Sequence, residues 1–225
     1  MELPTSKSAR VTDLKKFIVQ IYGQPKAGKS TFASKFDNAL FICTEPGHKF
    51  LEVYGGDHVH KDWSEIRDTV MRLCKEDHDF QTVVIDTVDN AYEFCSQWVC
   101  KQKGIEHESD EGYGKGWTAV KKEFKGVINA LANRGFGLVF ISHSKLGELE
   151  SKGVKRPFVD NSLSNSAKSF VNGLSDFIFY CYMDDDGNRL MRTKANLNVN
   201  AGDRSGKLPE VMPMDYEQLI EELGK

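Results

Sequence analysis

At 225 residues the chain is long enough to bury one large core or two small ones. Its 30 lysines and arginines against 33 aspartates and glutamates leave a formal net charge of -3, which excludes a protein coated in basic residues for nucleic acid but leaves room for a local basic groove. The five cysteines (Cys43, Cys74, Cys95, Cys100 and Cys181) are odd in number, lack CxxC spacing and sit mostly in apolar segments, so they read as reduced core residues rather than a disulfide framework.

No N-terminal stretch has the form of a signal peptide, and no apolar run approaches the roughly 20 residues that cross a bilayer. The expectation is a cytoplasmic protein with no membrane partner. Residues 1–16 are polar and read as a tail leading into a single domain over 17–225.

The apolar run Phe17–Tyr22 reads as a strand and leads into Gly23-Gln24-Pro25-Lys26-Ala27-Gly28-Lys29-Ser30-Thr31. This is the complete phosphate-loop pattern G-x-x-x-x-G-K-[ST]: glycines let the backbone turn tightly around phosphate, Lys29 reaches the terminal phosphates, and the Ser30 hydroxyl holds magnesium. A helix over Thr31–Phe36 follows, with its free N–H groups toward the anion.

The continuous apolar run Ala39–Cys43 predicts a buried parallel strand ending in Thr44-Glu45-Pro46-Gly47. Ligands of open α/β sheets collect at the carboxyl ends of strands. Glu45 is therefore either the carboxylate that activates the water attacking a γ-phosphate or a solvated loop residue before a turn.

Trp63, Ile66, Val70 and Leu73 recur at helical spacing and predict an amphipathic helix over Trp63–Cys74. Phe80–Thr87 is a strand ending in Asp86, whose carboxylate holds magnesium through its water shell, with Thr87 as a neighbouring polar contact. Asp89 is expected to cap the helix over Ala91–Gln102. Lys103–Gly116 carries four glycines and too little apolar content to bury itself, which predicts a mobile loop. Its Tyr113, with Lys115 and Trp117, could stack on a base, a reading opposed by the acidic run Glu106–Glu111.

A helix over Ala119–Ala132 and a strand over Gly137–His143 follow, the strand delivering Ser142 and His143 to the phosphate-loop edge. There His143 either senses the γ-phosphate or is simply a hydrogen-bonded strand end. Ser144–Ser166 reads as a long polar loop, whose Lys145, Lys152, Lys155 and Arg156 are either nucleic-acid phosphate contacts or solvated charges. After a short helix over Ala167–Leu174 come a strand at Asp176–Met183, an Asp-Gly turn at Asp184–Asn188 and a returning strand at Arg189–Lys194. Arg192 and Lys194, two apart on one face, are candidates to complete a neighbouring subunit's site. The chain closes on a helix built on Tyr216, Leu219 and Ile220.

GQPKAGKST, the Glu-Pro-Gly strand end, VVIDT, the YGKGW segment, the Ser-His strand end and the late R-x-K strand together resemble phage-type AAA-labelled ATPases with a RecA-like core, closest to the phage single-strand annealing group, the Sak proteins. The likeness spans about residues 17–196. It implies an α/β RecA-like P-loop NTPase core, a mostly parallel sheet flanked by helices with a C-terminal β-hairpin. It implies ATP hydrolysis with Mg2+, action in phage DNA recombination, annealing or replication in the host cytoplasm, single-stranded DNA as partner and a homo-oligomer. Glu45 matches the family's catalytic glutamate, Arg192 and Lys194 its basic residues acting across the subunit interface, and His143 stands where a glutamine is frequent. No separate N-terminal polymerisation domain is evident, so a RecA-style filament is not implied. The competing readings are a nucleotide or small-molecule kinase, which needs more lid arginines than Arg156, and a nucleotide-gated binding module with little turnover. A GTPase is disfavoured because Thr193-Lys194-Ala195-Asn196 lacks the terminal Asp of a guanine-reading motif.

Overall fold

The computed structural model describes residues 3, 5–7, 11, 13–151 and 153–225. Its centre is a sheet in the order β2-β3-β4-β1-β6-β7-β9, where β1 is Ile18–Gly23, β2 Ala39–Cys43, β3 Thr82–Asp86, β4 Gly137–Ser151, β6 Phe177–Met183, β7 Arg189–Arg192 and β9 Val211–Pro213, with the short β8 (Gly202–Asp203) pairing β6. The strands β2, β3, β4, β1 and β6 run parallel; β7 turns back antiparallel on β6, making the C-terminal hairpin. This is the expected α/β P-loop core, a mostly parallel sheet flanked by helices, with the phosphate-loop strand β1 between β4 and β6.

The parallel strands read as unbroken apolar runs because both faces are covered. Val19, Ile21, Phe41, Val84, Val139 and Ile141 point to one face, packed under α1 (Lys29–Ala33) and α6 (Tyr216–Gly224) through Phe32, Tyr216 and Leu219. Ile42, Val83, Ile85, Leu138 and Phe140 point to the other, under α2 (Trp63–Lys75), α3 (Val88–Lys103), α4 (Lys115–Arg134) and α5 (Asn165–Leu174). Helix α2 forms where expected: Asp62 caps it by accepting from the Ser64 and Glu65 amides, and Trp63, Ile66, Val70 and Leu73 are buried. All five cysteines are free thiols. Among the described residues no helix is long and apolar enough to cross a membrane.

Several elements differ from expectation. The first helix occupies Lys29–Ala33, so its turn is built from the phosphate loop itself. β4 does not stop at His143; it runs on to Ser151 and pairs antiparallel with β5 (Val154–Asn161), so the expected loop is largely a β-ribbon rooted at Ser144↔Asn161. A ribbon projecting beyond the sheet buries neither face at its outer end, so it shows no apolar alternation for the sequence to reveal. The segment expected to be a mobile loop forms two 3-10 turns, Glu108–Asp110 and Gly112–Gly114, and most of its acidic run is engaged within the chain: Glu108 accepts from Ser96 Oγ, Glu111 pairs with Lys103, and Asp110 accepts from the Glu106 and His107 amides. β7 ends at Arg192, so Lys194 lies past the strand. In α6 the buried positions are Tyr216, Leu219 and Leu223, while Ile220 is exposed.

Candidate nucleotide site

The registers Gly23↔His143, Ile141↔Asp86 and Asp86↔Cys43 bring the carboxyl ends of β1, β4, β3 and β2 to one edge. The phosphate loop leaves β1 there. Gly23 is obligatory, since a Cβ would lie 2.1 Å from the Cys181 carbonyl oxygen. Gly28 has φ of 97°, in the left-handed region that favours glycine, and the stem of Arg189 lies over it. Lys29 is buried, and its Nζ donates to the Gly23 and Gln24 carbonyls at 2.9 and 2.8 Å, which holds the ammonium across the loop. Burial pushes its pKa down, and Cys181, Asp86, Glu45 and Asp89 act in the opposite sense.

Ser30 Oγ donates to Asp86 Oδ2 at 2.6 Å, so the two residues expected to hold magnesium are together. A hydroxyl and a carboxylate at the root of a phosphate loop are the hard oxygen donors magnesium takes. The donor set therefore fits the ion. The ends of β2 and β3 are stitched beside them: the Thr44 amide donates to the Asp86 carbonyl at 2.7 Å, and Thr44 Oγ1 donates to the Thr87 carbonyl and accepts from the Thr87 amide. Thr87 thus serves the site through its backbone.

Glu45 follows this stitched segment, and its Oε2 lies 3.6 Å from His143 Nε2, both side chains partly exposed. Ser142, on the opposite face of β4, donates to Asp89 Oδ1 at 3.0 Å, which rules out a Ser-His pair. A cavity of about 440 Å³ adjoins the loop, between Gln24–Ala27 and Tyr180, Tyr182 and Asp184.

The remaining basic candidates are scattered. Arg192 is bound to Glu210 within the chain, and Lys194 is exposed. On the β4–β5 ribbon, Lys145 and Arg156 share one face, as the pairs Lys145↔Asp160 and Leu149↔Arg156 require, whereas Lys155 lies on the other face with Glu148 at 3.7 Å. Lys152 lies outside the described residues.

Three residues here escaped sequence reasoning. His48 is buried against the site, with Nε2 2.8 Å from Asp86 Oδ2, and this hydrogen bond raises its pKa to about 10. Asp89 is not a helix cap; it lies in the first turn of α3 and accepts from Ser142 Oγ, Ser162 Oγ and the His143 amide. Arg189, one position past the hairpin turn, reaches back over the phosphate loop. Asp89 was visible in the sequence only as a helix cap, and His48 left a fainter trace, three residues beyond Glu45 across Pro-Gly, which no spacing rule reads.

A family model described as an AAA domain matches residues 15–205. A curated relative, the SPbeta prophage-derived uncharacterized protein YorG of Bacillus subtilis (strain 168), is 28% identical over 158 residues, covering 64% of this chain and 48% of that protein. The chain thus spans about half the length of this relative. The crystal structure of the RadB recombinase aligns over 79% of this chain and 80% of that one, at 15% identity and a TM-score of 0.47.

Proposed function

The chain belongs to the AAA domain family, and from that premise we propose that it is a magnesium-dependent ATPase of phage or prophage origin. In this reading it acts on single-stranded DNA in recombination, annealing or replication, as a homo-oligomer similar to the Sak-type proteins, in a cell's cytoplasm. The observation that carries the reading is the convergence at one sheet edge of Lys29 in the phosphate loop, Ser30 on Asp86 at 2.6 Å, and Glu45 beside His143.

The backbone N–H groups of Gly23–Thr31 and the Lys29 ammonium bind the phosphates, and the cavity beside Tyr180 and Tyr182 takes the base. Ser30 and Asp86 would hold a magnesium ion, which would supply positive charge against the phosphates. Glu45 orients a water and accepts its proton as the water oxygen bonds to the γ-phosphorus and the bond to the bridging oxygen breaks, leaving ADP and phosphate. His143, 3.6 Å from Glu45 and at the root of the ribbon, links the γ-phosphate position to the ribbon that carries Lys145, Lys155 and Arg156 toward DNA, with Lys152 of the same stretch of sequence a further candidate contact. Lys194 reaches a neighbouring subunit's nucleotide, and Arg192 joins it on leaving Glu210.

Turnover with and without single-stranded DNA, in the parent protein and in Glu45→Gln, tests the reading. The variant should bind ATP as the parent does and lose about 100-fold or more in hydrolysis. Unchanged turnover would remove Glu45 from the mechanism, and indifference to DNA would remove the DNA partner.

A further inference from the structure

We propose that His48 is a positioning residue: its ring nitrogen on Asp86 fixes the rotamer of the magnesium-holding carboxylate and ties to it the loop that carries Glu45. The proposal rests on the magnesium reading of Asp86 given above, and extends it to a residue that touches neither nucleotide nor water.

Asp86 and His48 are both almost wholly buried, 3% and 4% exposed. A carboxylate removed from water to that degree needs partners. Its Oδ2 has two: Ser30 Oγ at 2.6 Å from the phosphate loop and His48 Nε2 at 2.8 Å from the β2–α2 connection. Oδ1 accepts no hydrogen bond from the described residues, so with Oδ2 held from two sides Oδ1 would be the oxygen free to serve a bound magnesium ion. Removing His48 leaves Oδ2 with Ser30 alone, a hydroxyl that must itself turn to the metal, and frees the carboxylate to rotate.

The ring is held in turn. It meets Phe41 edge-on at 5.6 Å, and the His48 carbonyl accepts from the Leu51 amide at 2.9 Å. Only Pro46 and Gly47 separate His48 from Glu45, and Thr44 at the other end is stitched to Asp86 and Thr87. The Thr44–His48 segment is thus anchored on the Asp86 strand end at both its ends, with Glu45 between them. A histidine present merely to fill space would do the same work as leucine. One that orients a metal-holding group should behave like an outer-shell residue, whose loss costs about 10–100-fold in metal affinity.

The discriminating variants are His48→Gln, whose amide nitrogen reaches the place of Nε2, and His48→Asn, whose amide falls short of Asp86. A fluorescent ATP analogue is titrated against each at increasing Mg2+, giving metal-free nucleotide affinity and the Mg2+ half-saturation of binding without turnover. Melting temperatures are measured alongside. His48→Gln should stay within about threefold of the parent, and His48→Asn should raise the Mg2+ half-saturation by about tenfold or more, with metal-free affinity unchanged. In hydrolysis, His48→Asn should lower kcat as well, because Glu45 is released with the loop. Equal Mg2+ half-saturation in the two variants, whether parental or weakened together with their melting temperatures, overturns the proposal in favour of a packing role. Asp86→Asn separates the layers: if it leaves Mg2+ dependence intact, the magnesium reading itself fails; if it abolishes that dependence while His48→Asn does not weaken it, only the role of His48 fails.

Discussion

Replacing Asp89 should loosen the ribbon from the nucleotide edge. Its carboxylate accepts from Ser142 Oγ at 3.0 Å, Ser162 Oγ at 2.5 Å and the His143 amide at 3.3 Å, and so pins the N-terminal turn of α3 to both strands where the ribbon leaves the sheet. Hydrogen bonds to a charged group contribute about 1.5–3 kcal/mol each, but these three do not simply add. The His143 contact is long, and Ser142 Oγ keeps a second acceptor in the His143 carbonyl at 3.1 Å. Asp89→Ala should therefore cost about 2–4 kcal/mol, and Asp89→Asn, which can keep an oxygen toward both serines, about 1 kcal/mol. Urea unfolding followed by tryptophan fluorescence measures the cost. Amide exchange at Ser162, whose N–H donates to the His143 carbonyl at 2.9 Å, reports the ribbon root directly and should accelerate about tenfold or more in the alanine variant. Stability within about 0.5 kcal/mol of the parent together with unchanged exchange at Ser162 would refute the pinning role.

Gln20 sits fully buried in β1 with neither amide atom paired within the described residues, so Gln20→Met, which keeps the volume and removes the polar group, should stabilise the fold by about 1–2 kcal/mol in urea unfolding; a loss of more than about 1 kcal/mol would show that the amide is satisfied in solution. His60 is buried between the Cys43 carbonyl, 3.1 Å from Nδ1, and Thr69 Oγ1, 2.9 Å from Nε2, and burial lowers its pKa. With the folded value below the unfolded one, the unfolded chain takes up the proton first, so stability is complete above about pH 6.5 and declines as pH falls through the lowered folded value. His60→Gln should flatten the fall in melting temperature between pH 7 and pH 5 by part of its depth, and an identical pH profile in the variant would exclude His60 as a contributor.

Local chemistry carried much of the reading from sequence. Gly23, Gly28, Lys29 and Ser30 are legible because a phosphate loop imposes its demands on contiguous residues: two backbone conformations, one cation and one hydroxyl. Asp86 and Glu45 were legible for a related reason, as carboxylates at the ends of apolar runs that can only be buried strands. Composition showed that the Lys103–Gly116 segment is polar and glycine-rich but not where its carboxylates point; Glu108, Asp110 and Glu111 are engaged by Ser96, by backbone amides and by Lys103.

The phosphate loop, the parallel core around it and the two strand-end carboxylates follow from short-range patterns of apolarity and turn chemistry, which is why they can be read along the chain. What stands around them is set by the folding of distant segments onto one another. His48 meets Asp86 across 38 residues, Ser162 meets Asp89 across 73, and Arg189 comes to lie over Gly28 by way of a hairpin at the far side of β6. Such contacts depend on strand order and register rather than on any local pattern, and they are what turn a nucleotide-binding loop into a candidate hydrolysis site linked to a projecting ribbon.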